Sequence, residues 1–384
     1  MKILHCCLAN FFIDGYSYQE NIIPKFNRVD GHTVKILAST ETYLERTTLG
    51  YTTPGTYLTP EGIEVTRLPY LQTLPFSLVK KLRIYEGVRK QLEDFSPDLI
   101  FVHGPQFVDA RKITAYAKSN PGVRVVVDNH SDFINSGRSL LSKHVLHKII
   151  YRWCAQKLDE VADTFYGVLP NRVAFLRDVY KVSADKLRFL PLGADLSKID
   201  LDQREAIRQQ VRADLKISAD KVVLISGGRL DARKKMNELV CATKQLARKN
   251  VHLILFGEPV AEMEDQYEEW QSISNVTLPG WLNAEEVYRY LVAADIIVSP
   301  ATHSVLWEQS TGVGLPGIFK RIPEMEHIDL GGNCLYLETG DCAEIVSLVE
   351  NIMQSGKLEA MKEVALAKGI AHFSYEKIAR SAIA

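Results

Sequence analysis

Residues 221–240 read KVVLISGGRLDARKKMNELV. The run KVVLISGG (221–228) is aliphatic and rich in β-branched residues, the composition of a strand covered on both faces of a parallel sheet. Two glycines close it, a basic cluster follows (Arg229, Arg233, Lys234, Lys235), and apolar residues then recur at helical spacing over 235–249. A strand, a glycine turn and a helix in this order make half of a βαβ unit, which joins parallel strands.

The pattern repeats on both sides. Downstream, strands are expected at VHLILFGE (251–258), VTLPG (276–280) and ADIIVSP (294–300), with a helix at 284–293. Upstream they are expected at KILHCCL (2–8), TVKILAS (33–39), DLIFVHG (98–104) and VRVVVDN (123–129), continued by 165–170 and 187–193, with helical spacing at 77–95 and 138–161. The fold class is therefore α/β, with two Rossmann-like doubly wound parallel-sheet domains. The stretch ADLSKIDLDQRE (194–205) loses apolar periodicity and reads as a hinge. The expected division is 1–193, a hinge at 194–205, a second domain at 206–365, and a C-terminal segment at 366–384. In such sheets ligands bind beyond the carboxyl ends of the strands, so the loops there hold the candidate site residues.

Composition narrows the function. With 384 residues the chain suits two cores, and a net charge of -1 argues against a dedicated nucleic-acid binder. The six cysteines are scattered, with no CxxC pair, so neither a disulfide framework nor a zinc site is expected, and the usage suits the cytosol. His5 and Asn10 interrupt the apolar start, which reads as a buried first strand, not a signal peptide. No apolar stretch is long enough to span a bilayer.

Six segments resemble glycosyltransferase family 4 enzymes of GT-B fold, in the order and spacing of that family. They are GHTVKILAS (31–39), SPDLIFVHG (96–104), RFLPLGAD (188–195), SGGRLDARKKMNELV (226–240), VTLPGWLNAEEVYRYLVAADIIVSPA (276–301) and HFSYEKIA (372–379). The resemblance implies a retaining transferase that uses a UDP- or GDP-type sugar and requires neither metal nor cofactor. It assigns the first domain to the acceptor, the second to the donor, and makes the last helix cross back to the first.

Residue by residue, the resemblance implies donor contacts at Arg229 and Lys234, whose cations would neutralise a diphosphate. Lys235 stands where the motif usually has glycine. Gly15, Gly257 and Leu282 join the implied donor set, and His130 matches the histidine that faces the transferred sugar. His103 reads as a satisfied structural histidine. The family's paired glutamates are altered in WEQSTGVGLPGIF (307–319). Glu308 stands about where the ribose-holding glutamate belongs, with Gln309 an equal claimant. The first glutamate is missing, leaving His303 or Ser304 as substitutes. Ser310 and Thr311 are then expected to head a helix facing the diphosphate.

Two motifs are set aside. Gly312–Gly317 fits G-x-G-x-x-G in letters but ends a helix instead of opening one. Asp200 and Asp202 form a D-x-D inside the hinge and read as solvated linker. Residues 138–157 combine Arg138, Lys143, Lys148, Arg152 and Lys157 with apolar positions. This reads either as contact with an anionic membrane or as a domain helix with a solvated basic face.

The leading reading is sugar transfer to a glycan or lipid-linked acceptor in surface polysaccharide synthesis. It would act in the cytoplasm, with peripheral contact at the inner membrane face if the basic helix touches lipid. The alternatives are a GT-B epimerase or phosphorylase, and a diverged, non-catalytic nucleotide-sugar-binding protein.

Overall fold

The computed structural model describes residues 1–44, 48–133 and 142–384, with side chains from 146 onward in the last segment. The chain divides into two compact units, Met1–Pro191 with Ile378–Ala384, and Leu192–Lys377.

The first unit contains β1 (Lys2–Cys7), β2 (Thr33–Ser39), β3 (Glu41–Tyr43), β4 (Leu49–Tyr51), β5 (Gly55–Leu58), β6 (Glu64–Leu68), β7 (Leu99–His103), β8 (Arg124–Asn129), β9 (Thr164–Gly167) and β10 (Leu187–Phe189). Its main sheet runs β10-β9-β8-β7-β1-β2-β6-β5, and β3 pairs with β4 separately. All pairs in the main sheet are parallel except β5 with β6. The chain reverses its direction of travel between β1 and β7, the kind of switch point beside which ligands bind in doubly wound sheets.

The second unit contains β11 (Val222–Gly227), β12 (Val251–Phe256), β13 (Val276–Thr277), β14 (Ile296–Ser299), β15 (Gly317–Lys320) and β16 (Cys334–Leu337). They are ordered β13-β12-β11-β14-β15-β16 and are parallel throughout. This is the 3-2-1-4-5-6 order of dinucleotide-binding folds, with its switch point between β11 and β14. Leu224, Leu253, Leu255, Ile296 and Val298 fill one face of this sheet. Val223, Ile225, Ile254, Ile297 and Phe319 fill the other, which is why the strands read as unbroken apolar runs.

Polar groups lock the helices onto these sheets. Asn283 accepts hydrogen bonds from the amides of Glu285 and Glu286, while Glu286 accepts from the Asn283 amide, forming a capping box on helix Ala284–Ala293. Asp295 accepts from Arg208, Arg212 and the Val223 amide, and so ties helix Arg204–Asp214 to the start of β11. The last residues return to the first unit. There Arg124 donates to the carbonyls of Ile383 and Ala384, and Arg380 pairs with Asp30 at 2.7 Å.

The structure departs from the sequence expectation at several points that bear on the fold. The helix expected over 77–95 is two helices, Phe76–Leu82 and Val88–Phe95. Between them Tyr85 is buried, its hydroxyl donating to the Leu8 carbonyl and its amide to Asp109, and these bonds outweigh helix continuation. The strands expected at 187–193 and 276–280 are shorter, ending at Phe189 and Thr277. Finally, Cys241 and Cys342 form a disulfide with Cα atoms 5.8 Å apart. They lie 101 residues apart on the neighbouring helices Met236–Gln245 and Cys342–Gln354, a proximity that spacing along the chain does not reveal.

Candidate functional site

In the second unit the loop after β11 is shaped by two glycines. Gly228 has φ +93°, and a Cβ there would lie 2.8 Å from Lys234 Nζ. Gly257, at φ +120° beyond β12, would place a Cβ 1.9 Å from the Gly228 carbonyl oxygen, so only glycine fits. Asp231 caps the turn Ala232–Lys234 through the Arg233 amide. That turn folds Lys234 back over the strand end, where Nζ donates to the Gly227 carbonyl at 3.0 Å. Burial lowers the pKa of this ammonium. Arg229, in the same loop, is exposed. Lys235 adopts φ +55°, a left-handed conformation that favours glycine, and its ammonium donates to the Thr339 carbonyl. The Leu282 side chain is buried in the core, so it offers a ligand no side-chain contact.

The loop after β14 borders the same switch point and carries His303 and Ser304. Ser304 accepts from the Leu306 and Trp307 amides and starts the helix Leu306–Gly312. Ser310 and Thr311 therefore lie near the end of that helix, not at its head. Both are buried, and the Ser310 hydroxyl donates to the Trp307 carbonyl. The apolar Leu306 and Trp307, turned into the core, draw the helix start ahead of the serine and threonine. Glu308 is also fully buried. His303 Nε2 lies 3.0 and 3.1 Å from its two oxygens, and His327 Nε2 lies 2.8 Å from Oε1. Ribose hydroxyls could reach this carboxylate only by displacing an imidazole, so the geometry does not suit the ribose role expected for Glu308. Gln309 points elsewhere, beside the Tyr288 hydroxyl. Sequence reading missed His327, which lies 19 residues beyond Glu308 in a segment with no recognisable motif. Among the described residues, no group of three His, Cys, Asp or Glu side chains is spaced to hold a metal ion.

In the first unit Gly15 is exposed at φ +76° with open space around it. Its neighbour Asp14 is held by buried Arg67 at 2.8 Å and by the Tyr57 hydroxyl, which fixes the loop after β1. His130 stands past β8 with its side chain 23% exposed; Nε2 is 3.5 Å from Asp128 and 3.7 Å from Glu20. Burial alone would lower its pKa, but Glu20 and Asp128 outweigh that and raise it, favouring the imidazolium. Behind it runs a buried chain, in which Asp128 accepts from His103 Nδ1 at 2.8 Å. His103 Nε2 meets His5 Nδ1 at 3.0 Å, and His5 Nε2 meets Asn27 at 3.0 Å. His103 is the satisfied structural histidine its position suggested. Glu20 and His5 carried no sequence signal, because their partners lie far from them along the chain.

Part of the basic stretch is engaged within the unit. Arg138 lies outside the described residues, as do the side chains of Lys143 and His144. His147 is buried against the Tyr180 hydroxyl, and Arg152 donates to the Val179 carbonyl. Lys148, Ile149 and Trp153 remain exposed. No helix is long and apolar enough to cross a membrane among the described residues.

Comparison with known proteins places these features in a family. Residues 28–193 match the glycosyl transferase 4-like domain, and residues 207–314 match glycosyl transferases group 1. No curated protein shows significant similarity. Among solved structures, HepE of Anabaena in complex with UDP is similar at 16% identity and TM-score 0.70, over 99% of this chain and 98% of that one. The sucrose-phosphate synthase of Thermosynechococcus elongatus follows at 16% identity and TM-score 0.68, over 99% and 96%. A UDP-GlcNAc 2-epimerase of Neisseria meningitidis shares the fold at 15% identity and TM-score 0.64, over 100% and 99%.

Proposed function

The chain belongs to the family 4-like glycosyltransferases of GT-B fold, and from that premise we propose that it is a metal-independent, retaining hexosyltransferase. It would move a sugar from a UDP- or GDP-sugar to a glycan or lipid-linked acceptor of surface polysaccharide. The observation that carries this reading is the pair Arg229 and Lys234 at the β11–β14 switch point, where fixed cations can neutralise a leaving diphosphate. Binding of UDP by HepE, which has the same fold, agrees with it. In this reading Gly257 lets the backbone approach the donor, and His130 faces the transferred sugar as a charged donor. In the first unit a cavity of about 460 Å³ lined by Thr40, Tyr51, Thr52, Tyr70, Gln72 and Phe76 offers aromatic faces and hydroxyls to an acceptor.

A thermal-shift screen of UDP-, GDP- and bare-nucleotide ligands tests the proposal, since a ligand that binds the folded state raises its stability. Stabilisation by a nucleotide-sugar should persist in EDTA. Loss in chelator with recovery in magnesium or manganese would overturn metal independence, and no stabilisation by any nucleotide would overturn the whole reading. Release of free nucleoside diphosphate only when acceptor is present separates a transferase from an epimerase.

The exposed Lys148, Ile149 and Trp153 support peripheral contact with an anionic membrane. The chain should sediment with phosphatidylglycerol vesicles at low salt, and Lys148→Glu with Ile149→Glu should abolish this while leaving nucleotide binding intact. A wild-type chain that ignores such vesicles leaves only a solvated helix face.

A further inference from the structure

Glu308 is more deeply buried than the histidine it holds. Its carboxylate has no solvent exposure, whereas the His303 side chain keeps 15%. A carboxylate can only accept hydrogen bonds, so each ring nitrogen facing it must carry the hydrogen. The Nε2 atoms of both His303 and His327 face it, at 3.0 and 2.8 Å. In the neutral His303 ring the proton is therefore on Nε2, and Nδ1 is left as an acceptor. Burial alone would raise the Glu308 carboxyl, but His303 and His327 outweigh it and hold it down at about 2, so the acceptor stays ionised through the neutral range.

The ring is fixed from a second side. His303 packs edge-to-face on Trp307 with centroids 5.1 Å apart, and Trp307 stacks on Phe319 at 4.5 Å. Trp307 and Phe319 are fully buried, so the ring rests on the core of the unit. Among the described residues His303 Nδ1 has no hydrogen-bond partner. The loop that carries it follows β14, while Arg229 and Lys234 follow β11, so the two loops flank the switch point at which ligands of this sheet order gather.

We propose that Glu308, braced by His327, is a positioning residue that fixes the tautomer of His303, so that His303 Nδ1 accepts a hydrogen bond from a hydroxyl of the transferred sugar. This rests on the nucleotide-sugar reading above and replaces the ribose role for Glu308. A glutamine at 308 can donate as readily as accept, so it no longer dictates which His303 nitrogen carries the proton.

The test uses the full chain, with UDP-glucose against UDP and GDP-mannose against GDP in calorimetric titrations, and long-range proton–nitrogen NMR spectra of the histidine rings. Wild-type His303 should carry its proton on Nε2. Its Nδ1 resonance should move on adding the bound sugar nucleotide and stay when the bare diphosphate is added. Glu308→Gln should mix the two tautomers and weaken the sugar nucleotide about three- to tenfold, the range for one neutral hydrogen bond, with little change for the diphosphate. His303→Ala should cost the same, and adding Glu308→Gln to it should cost no more, because both act through one bond.

An Nδ1-protonated wild type, equal weakening of both ligands, or additive losses would each overturn the proposal. Should Glu308→Gln not fold, the wild-type spectrum and His303→Ala decide it. A wild type that binds neither nucleotide pair would sink the nucleotide reading, and the sugar contact with it. The spectrum would then still show separately whether Glu308 fixes the ring.

Discussion

Replacing Lys234 by alanine is expected to weaken binding of UDP or GDP by about 1.5–3 kcal/mol, the range for a hydrogen bond to a charged group, and to leave the bare nucleoside unaffected. The Lys234 ammonium is partly desolvated, and the group opposite it is a neutral carbonyl, Gly227 O at 3.0 Å. Burial lowers its pKa, so the charged form lacks full compensation in the free protein. A diphosphate would supply the missing anion, raise that pKa again, and draw a proton onto the complex at alkaline pH. Arg229→Ala should act in the same direction, because its exposed guanidinium can bridge two phosphate oxygens. Lys234→Arg should not restore affinity, since a rigid fork does not fit a space set by Gly228 and Gly257. Calorimetric titration with UDP, GDP, uridine and guanosine separates the cases. Equal losses for diphosphate and nucleoside would show that the turn has collapsed, and no loss for either would remove both cations from the site.

The strands of the second unit were legible from sequence because a buried parallel strand must be apolar at every position, as KVVLIS and VHLILF are. The turn after β11 was legible for a similar reason. Its glycines answer to backbone crowding, and crowding of that kind leaves a residue type behind. Lys235 breaks that rule at φ +55°, and its bond to the Thr339 carbonyl comes from a loop about a hundred residues away. The site features that escaped sequence reading share this property. Glu308 appeared to be a ligand contact until His327 came to it from beyond β15, and Cys342 appeared to be a lone thiol until two helices packed side by side. Ser310 and Thr311 were misplaced by register. Periodicity locates a helix, but which of its residues stands first depends on how Leu306 and Trp307 meet the core. What pairing across the fold decides, one chain's spacing does not contain.

Asp128→Ala is expected to cost about 3–5 kcal/mol of stability at neutral pH, the range for breaking a buried ionic pair. The carboxylate is fully buried, accepts from His103 Nδ1 at 2.8 Å and lies 3.5 Å from His130 Nε2. Alanine would leave the buried His103 Nδ1 without its acceptor, while Nε2 stays engaged with His5 and, through it, Asn27. Asp128→Asn keeps an acceptor oxygen and should cost less, about 1.5–3 kcal/mol for the charge-assisted part. The pH dependence carries the sign of a depressed carboxyl. Burial alone would raise Asp128, but His103 and His130 outweigh it and hold it well below the usual carboxylate range. Its stabilisation is therefore complete above the unfolded value of about 3.9 and is lost as pH falls from there through the folded value. The gap between wild type and Asp128→Asn should thus be level between about pH 6 and pH 4 and narrow below it, and it should also narrow above about pH 6.5 as the His130 contribution described next is lost. His130 carries the opposite sign: its raised pKa stabilises fully below about 6.5 and loses that contribution as pH climbs through the folded value. Asp128→Asn removes one of the two carboxylates that raise it, so the His130 titration midpoint, read from its ring resonances, should fall. Calorimetric unfolding of the full chain across this range checks the first effect, and the NMR titration checks the second. A gap that widens toward acid, or a His130 midpoint that does not move, would mean that Asp128 holds neither ring as an ionised partner.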